Sequence, residues 1–118
     1  MKKILIVDNE KTIRDFCQRI LIKNNFNTNT AQSANEALEI LDNTFNLVVS
    51  DFSMPGFDGM WLARQIKIKF DENIPVIIMT GTIDKVEIAE KESSGVVDFL
   101  SKPFNIDDFL TIVNRYLK

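Results

Sequence analysis

The chain has 118 residues, 45% hydrophobic and 26% charged, which is enough apolar material for one folded domain spanning 1–118 with a real core. A net charge of −3 argues against nucleic-acid binding through bulk charge, and no segment has the length or hydropathy of a membrane span or a secretory leader. Histidine is absent, which removes every mechanism that needs this chain to supply an imidazole base, ligand or phosphohistidine, and the lone Cys17 fits a reducing cytoplasm.

Strand-like and helix-like segments alternate along the chain. Lys3–Asp8 (KILIVD) reads as a first strand. Ile13, Phe16, Cys17, Ile20 and Leu21 then share one face at helical spacing and are expected to point inward. Phe26–Thr30 is a polar strand, expected at a sheet edge. Ser33 to Glu36 reads as a capping box, with Ala37, Leu38 and Leu41 as the apolar stripe behind it. Leu47–Asp51 is a third strand, and Asp58-Gly59 reads as a turn into a helix over Gly59–Phe70. Trp61 on that helix suits either the core or an exposed contact. Val76–Thr80 follows as a strand, then a weakly patterned polar helix over Asp84–Glu92, a strand Val96–Leu100, and a helix from about Asn105. In that last helix Ile106, Phe109, Leu110, Val113 and Leu117 are expected to face inward.

Short, nearly all-apolar strands alternating with amphipathic helices predict an α/β fold with a parallel sheet covered on both faces. The common flavodoxin-like arrangement, (βα)5 and doubly wound, has strand order 2-1-3-4-5 and gathers its site beyond the carboxyl ends of the strands. Those ends carry Asp8-Asn9-Glu10, Asp51, Thr80 and Ser101-Lys102-Pro103. Adjacent carboxylates repel unless a hard cation lies between them. Mg²⁺ suits two carboxylates and keeps waters for a phosphate. A lysine there makes sense as the counter-charge of a phosphoryl group, and a threonine hydroxyl as a donor to its oxygens. These are the parts needed to phosphorylate an aspartate, with Asp51 as nucleophile. No base is required, since a carboxylate is already ionised. Glu10 reads as serving a helix N-terminus, and Cys17 as core.

At these residues the chain resembles the receiver domain of two-component response regulators, from Lys3 onward. "ILIVDNE" is similar to the family's acidic turn, "DFSMPGFDG" to its D-x-x-M-P-x-x-D-G segment, "PVIIMTG" to its Thr/Ser strand and "GVVDFLSKPF" to its fifth strand with Lys-Pro-Phe. The resemblance implies a phosphorylation-dependent switch rather than a turnover enzyme. Asp51 would accept a phosphoryl group from a sensor histidine kinase, a phosphotransfer protein or a small phosphodonor. Asp8, Asp51 and the main-chain carbonyl of Ser53 would hold Mg²⁺, Thr80 and Lys102 would bind the phosphoryl oxygens, and Thr80 with Phe99 would form the switch. It also implies a cis Lys102–Pro103 bond, and a shifting surface that includes the Asp84–Glu92 helix.

Asn9 departs from the pattern, standing where the family commonly has a second metal-binding acid. Its amide oxygen can still coordinate Mg²⁺ but brings no charge. Three alternatives follow. The chain could be a degenerate receiver, an adaptor independent of phosphorylation. It could be a haloacid-dehalogenase-type hydrolase, which wants an acid where Ser53 stands. A flavin carrier lacks the expected phosphate-cradling loop. No nucleic-acid or membrane partner is expected, and the segment reads equally as a stand-alone regulator or as part of a longer protein with an output domain.

Overall fold

The computed structural model describes residues 1–81 and 95–117. In chain order they form β1 (Lys3–Val7), α1 (Lys11–Lys23), β2 (Asn27–Ala31), α2 (Ala34–Ile40), β3 (Leu47–Asp51), α3 (Gly59–Phe70), β4 (Val76–Thr80), β5 (Val96–Ser101) and α4 (Ile106–Leu117). The helix expected over Asp84–Glu92 lies outside the described residues. All strand pairings are parallel, in the order β2-β1-β3-β4-β5. This is the doubly wound α/β sheet expected from the alternation, with polar β2 at its edge. No helix among the described residues is long and apolar enough to cross a membrane.

The side-chain period of two divides each strand between two cores. Leu5, Val7, Val48, Val76 and Ile78 point to one face, against Ala34 and Ala37 of α2 and Leu62, Ala63 and Ile66 of α3. Ile4, Ile6, Leu47, Val49, Ile77 and Met79 point to the other, against Cys17, Ile20 and Leu21 of α1 and Phe109, Ile112 and Val113 of α4. Each fully buried Ile, Leu or Val in these layers contributes about 1.5–3 kcal/mol of transfer free energy, so the sheet's position between its helices is strongly determined.

The helix ends follow the capping chemistry of the sequence. Ser33 Oγ accepts the Glu36 N–H at 3.1 Å, and Asn105 Oδ1 accepts the Asp108 N–H at 2.8 Å. Glu10 occupies the N-cap of α1 but its side chain makes no cap bond. Two residues expected inside are outside: Phe16 is 36% exposed and Ile106 50% exposed. Both flank a stripe that α1 and α4 present to the sheet. That stripe is filled by Cys17, Ile20, Phe109 and Val113, leaving the flanking positions at the rim.

Candidate active site

Strand register alone carries Asp8 and Asp51 together. β1 and β3 pair Ile6 with Val49 and Val7 with Ser50, so the next positions along are Asp8 and Asp51. Both carboxylates continue the every-second-residue series that faces α1 and α4, Ile4-Ile6-Asp8 and Leu47-Val49-Asp51. A slip of one residue would turn either away. Asp8 is fully buried and Asp51 is 7% exposed. Thr80, buried at the end of β4, lies one step beyond the Asp51–Met79 pair. Its carbonyl accepts the Lys102 N–H at 2.8 Å, which fixes the chain as it leaves β5.

From there Lys102 reaches back across the strand ends. Its Nζ lies 3.0 Å from Asp51 Oδ1 and 3.2 Å from Asp8 Oδ2, bridging both carboxylates. The Lys102–Pro103 peptide is cis. Asp8 is held on its other side as well: Oδ1 accepts the Glu10 N–H at 2.9 Å, and Arg14 Nη1 donates to the Asp8 carbonyl at 2.7 Å. Asn9 and Ser53 are exposed at the rim, and Phe99 is half-buried against the α2–α3 core.

The charges in this pocket are unequal in their environment. Burial pushes the Asp51 carboxyl up; the Lys102 hydrogen bond opposes this, the Asp8 charge adds to it, and the net displacement is upward. Burial by itself pulls the Lys102 ammonium down, but the hydrogen bond and charge of Asp51, together with Asp8, hold it above its ordinary range. Lys102 is attracted by two carboxylates, whereas Asp51 is attracted by one ammonium and repelled by one carboxylate. Lys102 therefore stays charged while Asp51 resists ionisation. The stabilisation associated with the Asp51 proton is present below the ordinary aspartate range and is lost as pH rises through its raised midpoint. A carboxyl-carbon NMR titration of the Mg²⁺-free protein should give an Asp51 midpoint above that range; a midpoint within or below it would contradict this account. Cys17 lies beneath the pocket, its thiol pushed up to about 12 by burial with Asp8 adding to the rise, and so supplies no thiolate.

The donor chemistry suits a hard cation: the two carboxylates of Asp8 and Asp51 lie side by side at the strand ends. Among the described residues no three Asp, Glu, His or Cys side chains gather in metal-binding geometry, so the acidic contribution is that of Asp8 and Asp51. Three further residues build the site without having been expected to. Arg14 anchors the Asp8 backbone from one turn into α1. Ser50, which precedes Asp51 in β3, donates its hydroxyl to the Asp51 carbonyl at 3.0 Å. Gly59, the first residue of α3, lets the helix pass so close that a Cβ there would stand 2.4 Å from the Asp51 carbonyl oxygen.

Residues 4–114 match the Response regulator receiver domain family. The chain belongs to that family. It is 36% identical over 117 residues to sporulation initiation phosphotransferase F of Bacillus subtilis, covering 98% of this chain and 94% of that protein. It is 38% identical over 111 residues to the DNA-binding transcriptional regulator NtrC of Klebsiella pneumoniae, covering 93% of this chain but 24% of that one. The chain thus spans about a quarter of one relative and nearly all of another. Among solved structures it resembles Thermotoga maritima TrrA in complex with Mg²⁺-BeF, with TM-score 0.86, 27% identity, and 98% and 99% of the two chains covered. Receiver domains of two-component systems are signalling domains that switch with phosphorylation, generally bind Mg²⁺, and interact with histidine kinases or phosphotransfer proteins.

Proposed function

We propose that this receiver is an active phosphoacceptor in which Asp51 takes a phosphoryl group from a protein phosphohistidine or a small donor such as acetyl phosphate. The observation that carries this reading is the bridge from Lys102 Nζ to Asp51 at 3.0 Å and Asp8 at 3.2 Å, an ammonium beside the attacking oxygen. An Asp51 oxygen attacks phosphorus as the bond to the donor's nitrogen or oxygen breaks, leaving an acyl phosphate. Lys102 and Thr80 then serve the phosphoryl oxygens. Asp8, Asp51, the Asn9 amide and the Ser53 carbonyl would hold Mg²⁺, which supplies the positive charge that offsets the phosphoryl oxygens. Phe16 and Phe104 form apolar surface beside Lys102.

Phosphorylation replaces one negative charge with about two and adds three acceptor oxygens. Thr80 and Lys102 are drawn toward them, and Phe99 moves inward into the space Thr80 leaves, changing the surface offered to a partner or output domain. Exposure to acetyl phosphate with Mg²⁺, read by intact mass, tests the proposal: a mass that never rises by one phosphoryl group would overturn it.

The neutral Asn9 and the two-carboxylate site favour one second reading, a degenerate receiver that works as an adaptor without phosphorylation. Absence of both beryllofluoride binding and phosphorylation in the presence of Mg²⁺ would select it. For the active reading, Asn9→Asp restores a charge near the ion. The gross Coulomb gain for a −1 carboxylate 4 Å from a +2 ion, at an effective dielectric of 20, is about 8 kcal/mol. Desolvation cancels most of this, and a remainder of about 1.4 kcal/mol corresponds to roughly tenfold tighter Mg²⁺ binding. Calorimetric titration showing no tightening would remove Asn9 from the metal site.

A further inference from the structure

The edge of the sheet at β5 contains an irregularity that none of the chemistry above uses. β4 and β5 pair Val76 with Val96, but the next pair is Ile77 with Asp98, so Val97 is an extra residue on β5. A bulge of this kind breaks the alternation of faces. Val96 packs on the α2–α3 core and Val97 on the α1–α4 core, while the carboxylate of Asp98 also meets α4. Phe99 returns to the α2–α3 core, and Leu100 to the α1–α4 core. With regular pairing, Asp98 would sit opposite Ile78 on the buried α2–α3 face and Phe99 would turn toward α4.

The bulge is held by the last turn of α4. Asp98 Oδ2 accepts from Arg115 Nη1 at 2.7 Å and from the Tyr116 hydroxyl at 2.8 Å. The same hydroxyl lies 3.1 Å from the carbonyl of Val97, the inserted residue. Asp98 Oδ1 accepts the Phe99 N–H at 2.8 Å. One carboxylate therefore joins the end of the terminal helix to the backbone of the aromatic residue beside the site. Burial, with the Asp98 carboxylate adding to it, pushes the Tyr116 hydroxyl above its ordinary range.

We propose that Asp98 is a positioning residue for Phe99: gripped by Arg115 and Tyr116, its carboxylate pins the β5 bulge that keeps the Phe99 ring on the α2–α3 face of the sheet. The consequence for signalling, that the end of α4 senses and restrains the switch, rests on the function proposed above. The grip itself does not, and it is testable in the unmodified protein.

Amide hydrogen exchange and Phe99 ring contacts are measured by NMR in the wild type, Asp98→Ala, Asp98→Asn and Tyr116→Phe. Loss of the Asp98 acceptor should speed exchange at the Phe99 amide by about tenfold, as expected for one hydrogen bond to a charged group. Contacts of the ring with the α2–α3 core should weaken at the same time. Asp98→Asn, which keeps an acceptor for the Phe99 N–H, should restore most of the protection. Tyr116→Phe deletes one hydroxyl without emptying the core, and serves if Asp98→Ala fails to fold. Exchange that is unchanged at Phe99, or that quickens equally at Ile6 and Val49, would overturn the proposal, since uniform acceleration marks general destabilisation. A second arm adds Mg²⁺ and beryllofluoride. The variants should bind as the wild type does but lose the single, shifted Phe99 ring resonance, and a shift identical to the wild type's would count against the grip. Failure of the wild type to bind beryllofluoride would count against the proposed function alone, because the exchange measurements still decide the role of Asp98.

Discussion

Asp51→Asn should leave a folded protein that gains no phosphoryl group from acetyl phosphate under conditions where the wild type gains one. The amide is isosteric but its oxygen is not a nucleophile, so the expected effect on phosphorylation is complete loss rather than slowing. Folding should survive for reasons visible in the pocket. Lys102 keeps its 3.2 Å contact with Asp8, and the amide oxygen can still accept from the ammonium. The repulsion between two nearly buried carboxylates is relieved, and with it the desolvation cost that raises the Asp51 proton affinity. Intact mass with parallel thermal unfolding reads both quantities. A phosphorylated Asp51→Asn protein would show that another residue is the acceptor. Unfolding of the variant would show that the charge of Asp51 is needed to hold Lys102 and the strand ends in place.

Gly59→Ala is expected to be the most damaging single-methyl change near the site. The added carbon would meet the Asp51 carbonyl oxygen at 2.4 Å and Ile78 Cδ1 at 2.9 Å. The first partner is backbone of a central strand, which has no room to give. The helix cannot simply retreat, because Asp58 caps the Trp61 N–H at 2.8 Å and the Gly59 N–H donates to the Phe52 carbonyl at 2.9 Å. Overpacking of this kind costs about 1–3 kcal/mol, here measured as a lowered urea midpoint. The functional loss should be larger than the stability loss. Displacing the acceptor residue by about 1 Å can cost on the order of 100-fold in rate, because the attacking oxygen and the lysine no longer share one alignment. A variant that phosphorylates at the wild-type rate would mean that the strain is absorbed within α3 and never reaches Asp51.

Much of this molecule was legible in the chain before folding. The apolar runs of β1, β3 and β4 announced strands buried on both faces, and the intervening helical stripes announced parallel crossovers; the order β2-β1-β3-β4-β5 is that of the common flavodoxin-like arrangement. Ser33 and Asn105 cap helices as their side chains predict, because capping is local chemistry between residues three apart. Asp8, Asp51 and Lys102 could be expected to meet, since each stands at the carboxyl end of a strand and the period of two puts both carboxylates on one face. Where the reading went wrong, the decision was not local. Phe16 and Ile106 carry the hydropathy of core residues, yet they lie exposed because the sheet accepts only a narrow stripe of each helix.

The strand and helix alternation and the placing of acid, acid and lysine at strand carboxyl ends are properties of the sequence itself, because patterning, parity and turn chemistry are written within a few residues of one another. Gly59 and the Asp98–Tyr116 grip are decisions of the tertiary structure. Asp58-Gly59 read as a turn, and only the packing of α3 against β3 reveals that a Cβ has nowhere to go. The bulge at Val97 likewise depends on a helix end more than a dozen residues away. Close approach between distant segments leaves no periodic trace along the chain, so it becomes visible only when those segments are packed together.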